Sequence, residues 1–227
     1  IEFLANIQTT EHSRLRLGRT ISNAKGTGSY PSSFGNVAWV NSNVPVSTPP
    51  LDYDQRHKLI GIFELDYREN NGEQYQRPGI LDGLLLTLVT KVGSGLPNTP
   101  FQIFNDATLF PFAPIQIDTR NSRRGDWTAT IDFRLEKTFR KGGFQFTPYV
   151  SANNIFDRAN VADVWNGSGL PNTTRWLTTT DGQTFVQANS TPDRTGLTGE
   201  EKYQIKEQLP INYWNPRQYY FGLRVSF

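Results

Sequence analysis

Apolar and polar residues alternate with period two along most of this chain, and the pattern is clearest at its end. Tyr219, Phe221, Leu223, Val225 and Phe227 fall on one face, and Gln218, Tyr220, Gly222, Arg224 and Ser226 on the other. Successive side chains of a strand point to opposite sides, so such a run predicts a strand with one apolar face. The segment from Trp127 repeats it. Trp127, Ala129, Ile131, Phe133, Leu135 and Phe139 oppose Thr128, Thr130, Asp132, Arg134, Glu136 and Thr138, and Lys137 interrupts the apolar series. From Phe144, the apolar set Phe146, Val150, Ala152 and Phe156 opposes Gln145, Thr147, Ser151 and Asn153. Pro148 lies inside that run and lacks a ladder donor, which predicts a bulge. Weaker alternation predicts strands at about 1–10, 14–24, 56–68 and 80–92. The expectation is an all-β, antiparallel fold of about seven strands.

The connections between these strands alternate short and long. Short ones lie near Glu11 to Ser13, Glu69 to Gly79 and Arg140 to Gly143; long ones, rich in Asn, Gly, Ser, Thr and Pro, run from about Lys25 to Gln55, Gly93 to Gly125 and Asp157 to Pro216. Transmembrane barrels have this asymmetry, with tight turns on the periplasmic side and long loops outside. The aromatics add to it. Tyr67, Phe139, Phe144 and Phe227 fall at the turn ends of their strands, and Trp127, Phe156 and Tyr219 at the loop ends, as two interfacial girdles would require. From Trp127 to Phe139, roughly 12 steps of about 3.3 Å at a tilt near 40° climb on the order of 30 Å, the thickness of a bilayer's apolar band. The residues expected to face lipid are therefore Trp127, Phe133, Leu135, Phe139, Phe144, Phe156, Tyr219, Phe221, Leu223, Val225 and Phe227. The polar faces, with Asp132, Arg134, Glu136 and Arg224, are expected to line a lumen as paired charges. A soluble antiparallel sandwich, burying the same faces in a core, is the competing reading.

Composition narrows the function classes. Only 36% of residues are hydrophobic, yet 13% are aromatic. The longest apolar stretch, around Leu84 to Val89, is far short of the 18 or more residues of a spanning helix. Cysteine is absent and His12 and His57 are the only histidines, so thiolate and imidazole metal sites are excluded. A formal charge of +2 without a basic block gives no footprint for a nucleic acid. No nucleophile set or phosphate loop is present, so no catalytic residue and no cofactor is expected. The chain opens on Ile1-Glu2-Phe3, which predicts a leader that was cleaved or lies with a larger upstream part.

Four segments resemble one family. Pro50-Leu51-Asp52-Tyr53-Asp54-Gln55-Arg56-His57 resembles the D-x-R-H strand start of TonB-dependent receptor barrels, particularly those with a carboxypeptidase-regulatory-like N-terminal domain. Gly95-Leu96-Pro97-Asn98-Thr99-Pro100 resembles their S-G-x-P-x-T-P loop, and Asn153-Asn154-Ile155-Phe156-Asp157 is similar to their N-L-F-D strand end. Asn215-Pro216-Arg217-Gln218-Tyr219, leading to Phe227, resembles their last strand, P-R-x-x-x-x-G-x-x-x-x-F. The resemblance implies a plug inside a 22-stranded barrel in the outer membrane of a Gram-negative bacterium, taking up a large or scarce nutrient through contact with TonB. Residues 1–227 are then the C-terminal part of the barrel, and the plug and roughly the first 15 strands come from the same or a separate chain. The implied partners are outer-membrane lipid and lipopolysaccharide, the remaining strands and plug, and TonB through that plug. Phe227 resembles the terminal aromatic by which the assembly machinery recognises such barrels. A structural or adhesive outer-membrane barrel, binding a surface partner through its long loops, is the alternative function.

Three smaller features remain. The heptapeptide Gly-Ser-Gly-Leu-Pro-Asn-Thr occurs at Gly93 to Thr99 and again at Gly167 to Thr173, where Gly and Pro suit turns and a shared ligand surface is the sharper reading. Asp52 and Asp54 are oxygen ligands in type, but two loop carboxylates are expected to be solvated. His57, after Arg56, is expected to anchor the start of its strand.

Overall fold

The computed structural model describes residues 1–28, 47–68, 79–102, 115–141 and 143–227. Among these residues it is mostly an antiparallel sheet, with two short helices. In chain order the strands are β1 (Glu2–Gln8), β2 (Ser13–Ile21), β3 (His57–Asp66), β4 (Leu84–Gly93), β5 (Pro97–Asn98), β6 (Arg123–Arg124), β7 (Thr128–Lys137), β8 (Phe139–Lys141), β9 (Phe144–Asn153) and β10 (Gln218–Ser226). The main sheet runs β1-β2-β3-β4-β7-β9-β10, with β8 alongside β9 and β5-β6 forming a separate small ribbon. Neighbours in sequence are neighbours in space, so the sheet is a meander. Among the described residues it does not close: β1 and β10 each pair on one side only.

The register sorts the side chains. Ile7 opposes Leu15, Leu15 opposes Phe63, Phe63 opposes Leu88, Leu88 opposes Phe133, Phe133 opposes Ala152, and Ala152 opposes Tyr219. Paired residues share a face. That row and its two-residue neighbours make one face almost wholly apolar, and Leu59, Leu65, Leu86, Ile131, Leu135, Val150, Phe221, Leu223 and Val225 lie on it. The other face carries Arg14, Arg16, Lys58, Glu64, Lys91, Asp132, Arg134, Glu136, Tyr149, Ser151 and Arg224. Arg19, opposite Phe3 and Leu59, and Lys137 are charged misfits on the apolar side, and Lys137 has a way out. Its ammonium reaches past the strand end to the carbonyls of Ile80 and Asp82, so its stem stays with the apolar face while its charge leaves it.

Burial is the reverse of a soluble domain's. Among the described residues the buried apolar side chains are few, Leu51, Leu85, Pro100 and Ala152 among them, whereas Asp54, Glu136, Thr147, Asn154, Asn160 and Glu207 belong to a longer buried polar set. Phe3, Leu17, Phe139, Phe221 and Leu223 stand in the open, Phe221 with 79% of its surface accessible.

Two expectations are corrected here. Pro148 makes no bulge. Glu136 opposes Tyr149 before it and Phe139 opposes Phe146 after it, in unbroken register, while Leu223 opposes Pro148 directly on the other side. The proline deletes a donor without inserting a residue, so the strand pairing lapses at Thr138, whose hydroxyl instead meets that of Thr147 at 3.2 Å. The connection from Asp157 to Pro216, expected as irregular loop, contains helices α1 (Thr180–Ala188) and α2 (Gly199–Glu207). Thr179 caps α1 on the Gly182 amide, and Thr198 with Glu201 forms a capping box on α2. Trp176, Phe185 and Tyr203 gather between them, with ring centroids 4.9 to 6.3 Å apart. No helix among the described residues is long and apolar enough to cross a membrane. Of the short connections, 69–78 and Gly142 lie outside the described residues, as do 29–46 and 103–114 in the long ones.

Candidate functional site

The polar face is laced by ion pairs that reach across strands. Arg16 meets Glu64 at 3.2 Å and Lys91 meets Asp132 at 3.0 Å. Glu136, only 5% exposed, takes Arg134 at 2.6 Å and Arg224 at 4.0 Å. The Arg134 guanidinium also lies 4.3 Å over the Tyr149 ring. Tyr149 in turn lies flat across Gly222, its partner in β10, where a Cβ would stand 2.3 Å from the ring. Only glycine leaves room for that ring at that point. The four residues expected to line a lumen, Asp132, Arg134, Glu136 and Arg224, thus share one face, Glu136 taking both arginines and Asp132 pairing separately with Lys91. Lys91 and Tyr149 lie on that face too, and only the strand register could have revealed them.

Toward the loop end of this face lies a hollow of ≈ 580 Å³. Both edge strands contribute to its lining, Glu2 and Leu4 from β1 and Gln218 from β10. A sheet of seven neighbouring strands at about 4.8 Å spacing would be on the order of 30 Å wide if flat. One hollow bounded by both edges therefore means a curled sheet with its polar face inside.

Above the hollow the loops are tied by Asp54, which is not solvated. Its carboxylate has no exposed surface and accepts from the Ala24 amide at 2.8 Å, from Arg56 at 2.9 Å and from Arg124. Burial pushes the carboxyl upward, but the hydrogen bonds from Arg56, Ala24 and Arg124 outweigh it and hold the group below its ordinary value. Asp52 accepts from Asn121 at 2.6 Å and from Arg120 at 3.2 Å. Each carboxylate therefore neutralises arginine, and no group of three or more potential metal-ligating side chains occurs among the described residues. The solvated reading is corrected for Asp54, while Asp52 keeps partial access to water, and the motif resembling D-x-R-H is a clamp between two long loops. Arg120, Asn121 and Arg124, its other half, were not singled out in the sequence because they lie some 70 residues from their partners.

His57 stands at the first position of β3. Its amide donates to the Ser94 hydroxyl at 3.1 Å, and its carbonyl accepts from the Ser94 amide at 2.9 Å. The ring stacks parallel to Trp127 at 5.9 Å. Ser94 is the second residue of the first heptapeptide copy, whose Pro97–Asn98 pairs with Arg123–Arg124. The second copy folds on itself, the Ser168 hydroxyl donating to the Thr173 carbonyl and accepting from the Leu170 amide. A Cβ on Gly169 would lie 3.9 Å from the Asn98 side chain, so the copies are neighbours as well as repeats.

The segment similar to N-L-F-D makes a tight turn. Asn154 and Asp157 adopt left-handed backbone, with φ of 50° and 54°. Asn154 binds Arg158 through both ends of its amide, and Asp157 accepts the Arg217 amide at 2.8 Å, which sets the start of β10. Beyond the end of β9, the nearly sealed Asn160 amide takes over the missing strand's role for β7, accepting from the Ala129 amide at 2.7 Å and donating to its carbonyl at 2.9 Å. Of the residues expected to face lipid, Phe139, Phe144, Tyr219, Phe221, Leu223 and Val225 are exposed on the convex side. Phe133 and Leu135 share that face at intermediate exposure, Trp127 and Phe156 are exposed at the loop-side strand ends, and Phe227 is fully exposed near the Phe144 ring.

Comparison with protein-family models, with curated proteins and with solved structures finds no match.

Proposed function

We propose that this chain forms part of the wall and the outer loops of an outer-membrane β-barrel, the C-terminal portion of a TonB-dependent transporter for a large or scarce nutrient. One observation carries the reading. The curled sheet keeps its charged, hydrogen-bonded face inside, with Leu4, Ile60, Ile62, Leu85 and Val89 among it, and turns most of its large apolar side chains outward. In water that arrangement exposes a broad hydrophobic surface at a cost of about 25 cal/mol per Å². In hydrocarbon the same surface is solvated, and a strand is admissible because its backbone groups bond to neighbours. The unpaired outer edges of β1 and β10 fit this reading, since lipid satisfies no backbone donor and further strands must complete the wall. The transporter assignment rests on the four motif resemblances.

The adhesive alternative draws on the β9–β10 connection, whose aromatic cluster and capped helices make it an ordered module. Trypsin added to intact cells tests the topology that both share. Arg194 lies in the exposed stretch between α1 and α2 and should be cut, while the strands stay protected. Cleavage at Arg194 only after permeabilisation would reverse the orientation, and cutting of the strands under either condition would remove the barrel. Deleting Phe227 should lower the amount of protein in the outer membrane and leave unassembled chain in the periplasm, with refolding into detergent unchanged. Normal surface levels together with weakened refolding would make Phe227 a packing residue instead.

A further inference from the structure

Within the outer-membrane reading, on which this inference rests, one cation on the convex face calls for a lipid. We infer that Arg19, near the loop end of β2, holds the phosphate of an outer-leaflet lipopolysaccharide against that face. Phe3 and Leu59 lie opposite Arg19, and Leu17 and Ile21 flank it along the same side of its own strand. No carboxylate occupies an opposite or diagonal position, and no hydrogen bond or ion pair ties Arg19 to another described residue. The connection that follows β2, residues 22–56, contains only two acids, Asp52 and Asp54, and arginines take both. Diagonally across from Arg19 stands His57, whose Nδ1 is closed to solvent and makes no hydrogen bond with a described residue. Two polar groups without protein partners among the described residues thus stand next to each other on the apolar face.

Chemistry and depth select the partner. A guanidinium keeps its charge, so it cannot enter hydrocarbon in a neutral form, and a bare cation there is costly. Lys137, on the same face, escapes by donating to the carbonyls of Ile80 and Asp82, an outlet that Arg19 lacks. β2 runs from Ser13 at the turn side to Ile21 at the loop side, so Arg19 is short of the loop end by two residues. At about 3.3 Å per residue and a tilt near 40°, that depth is on the order of 5 Å. A long side chain covers it and brings its head to the level of the lipid headgroups. Trp127, half exposed and stacked on His57 at the same end, marks that level. The anion that suits a guanidinium fork there is phosphate, which accepts from both arms at once. In the proposed topology the loop end faces outward. The phosphate therefore belongs to the outer leaflet, whose lipopolysaccharide carries it on the acylated anchor, whereas a zwitterionic phospholipid already pairs its phosphate with its own cation.

The test uses the full-length protein, purified from outer membranes in non-ionic detergent, stripped of lipid and titrated with lipopolysaccharide under native mass spectrometry, which counts bound molecules. Arg19→Leu should weaken the tightest binding about tenfold, with part of it restored in Arg19→Lys. Arg14→Leu, which removes a cation from the polar face opposite Glu64, should leave it unchanged. Dephosphorylated lipopolysaccharide should bind the unaltered protein no better than the intact lipid binds Arg19→Leu. Binding indifferent to Arg19→Leu would mean that water alone solvates the guanidinium, and would overturn the assignment. Undiminished binding of the dephosphorylated lipid would overturn it too, as would tighter binding of phosphatidylglycerol than of lipopolysaccharide. In lipid-free detergent Arg19→Leu should melt no lower than the unaltered protein; a lower melting point would make Arg19 a residue of the fold and remove the lipid site. The barrel reading is checked separately, by the trypsin pattern at Arg194 on intact cells, so a failed titration with that pattern intact removes the phosphate site and leaves the wall.

Discussion

Arginine in place of Phe133 is expected to cost about 2 to 4 kcal/mol when the protein is refolded into lipid vesicles, and Phe221→Arg a comparable amount. Both side chains sit near the middle of their strands on the convex face, Phe133 between Leu88 and Ala152 and Phe221 opposite Val150. The two substitutions differ in what they exclude. Phe133→Arg would also harm a soluble sandwich that buried this face, whereas Phe221, 79% exposed, could become arginine almost freely in water. Thr87→Arg is the control. Thr87 occupies the opposite face between Glu64 and Arg134, where a further long cation can reach the lumen, and it should cost less than about 1 kcal/mol. Denaturant titration in lipid measures all three. If Phe221→Arg leaves the midpoint where it was, the convex face meets water and the membrane reading falls.

Asp54→Ala should open the loop-side clamp by about 3 kcal/mol. The substitution removes the acceptor of one buried amide and leaves two arginines facing each other without their counter-charge. Arg56 and Arg124 keep partial access to water, which places the effect at the lower end for a broken buried pair. Native-state hydrogen exchange reads it locally. The Ala24 amide should lose protection, and the Ala129 amide, held by Asn160, should not. Acid should imitate the mutation. The folded-state carboxyl titrates below 3.8, its unfolded value, so its contribution is complete above that pH and fades as pH falls through the lower folded value. An Ala24 amide equally protected in both proteins would show that the clamp does not hold the loops.

How the fold became legible can be followed residue by residue. Alternation with period two located the long strands and their two faces, because the side chains of a strand alternate by covalent geometry and need no tertiary information. The series Tyr219 to Val225 and Trp127 to Leu135 were therefore readable as faces, and the all-β, antiparallel character followed from short connections between them. Local chemistry also marked the turns, through Gly, Pro and Asn, though it left open what those turns touch.

Three-dimensional structure alone decided the rest. Pro148 has the same covalent defect in any strand; whether it inserts a bulge or merely loses a bond depends on the register of Thr138 and Leu223, which its own neighbours do not set. Asp54 reads as a loop carboxylate until Arg124, distant in sequence, arrives beside it and excludes water. The helices between Asp157 and Pro216 form around Trp176, Phe185 and Tyr203, whose contact is a tertiary event. Alternation says that a sheet has an apolar and a polar face, but the same pattern serves a sandwich core and a lipid-facing wall. Which face lies inside the curl, with Glu136 and the Lys91–Asp132 pair, and which lies outside, with Phe221 and Leu223, depends on curvature, a property of the whole sheet that no single strand carries.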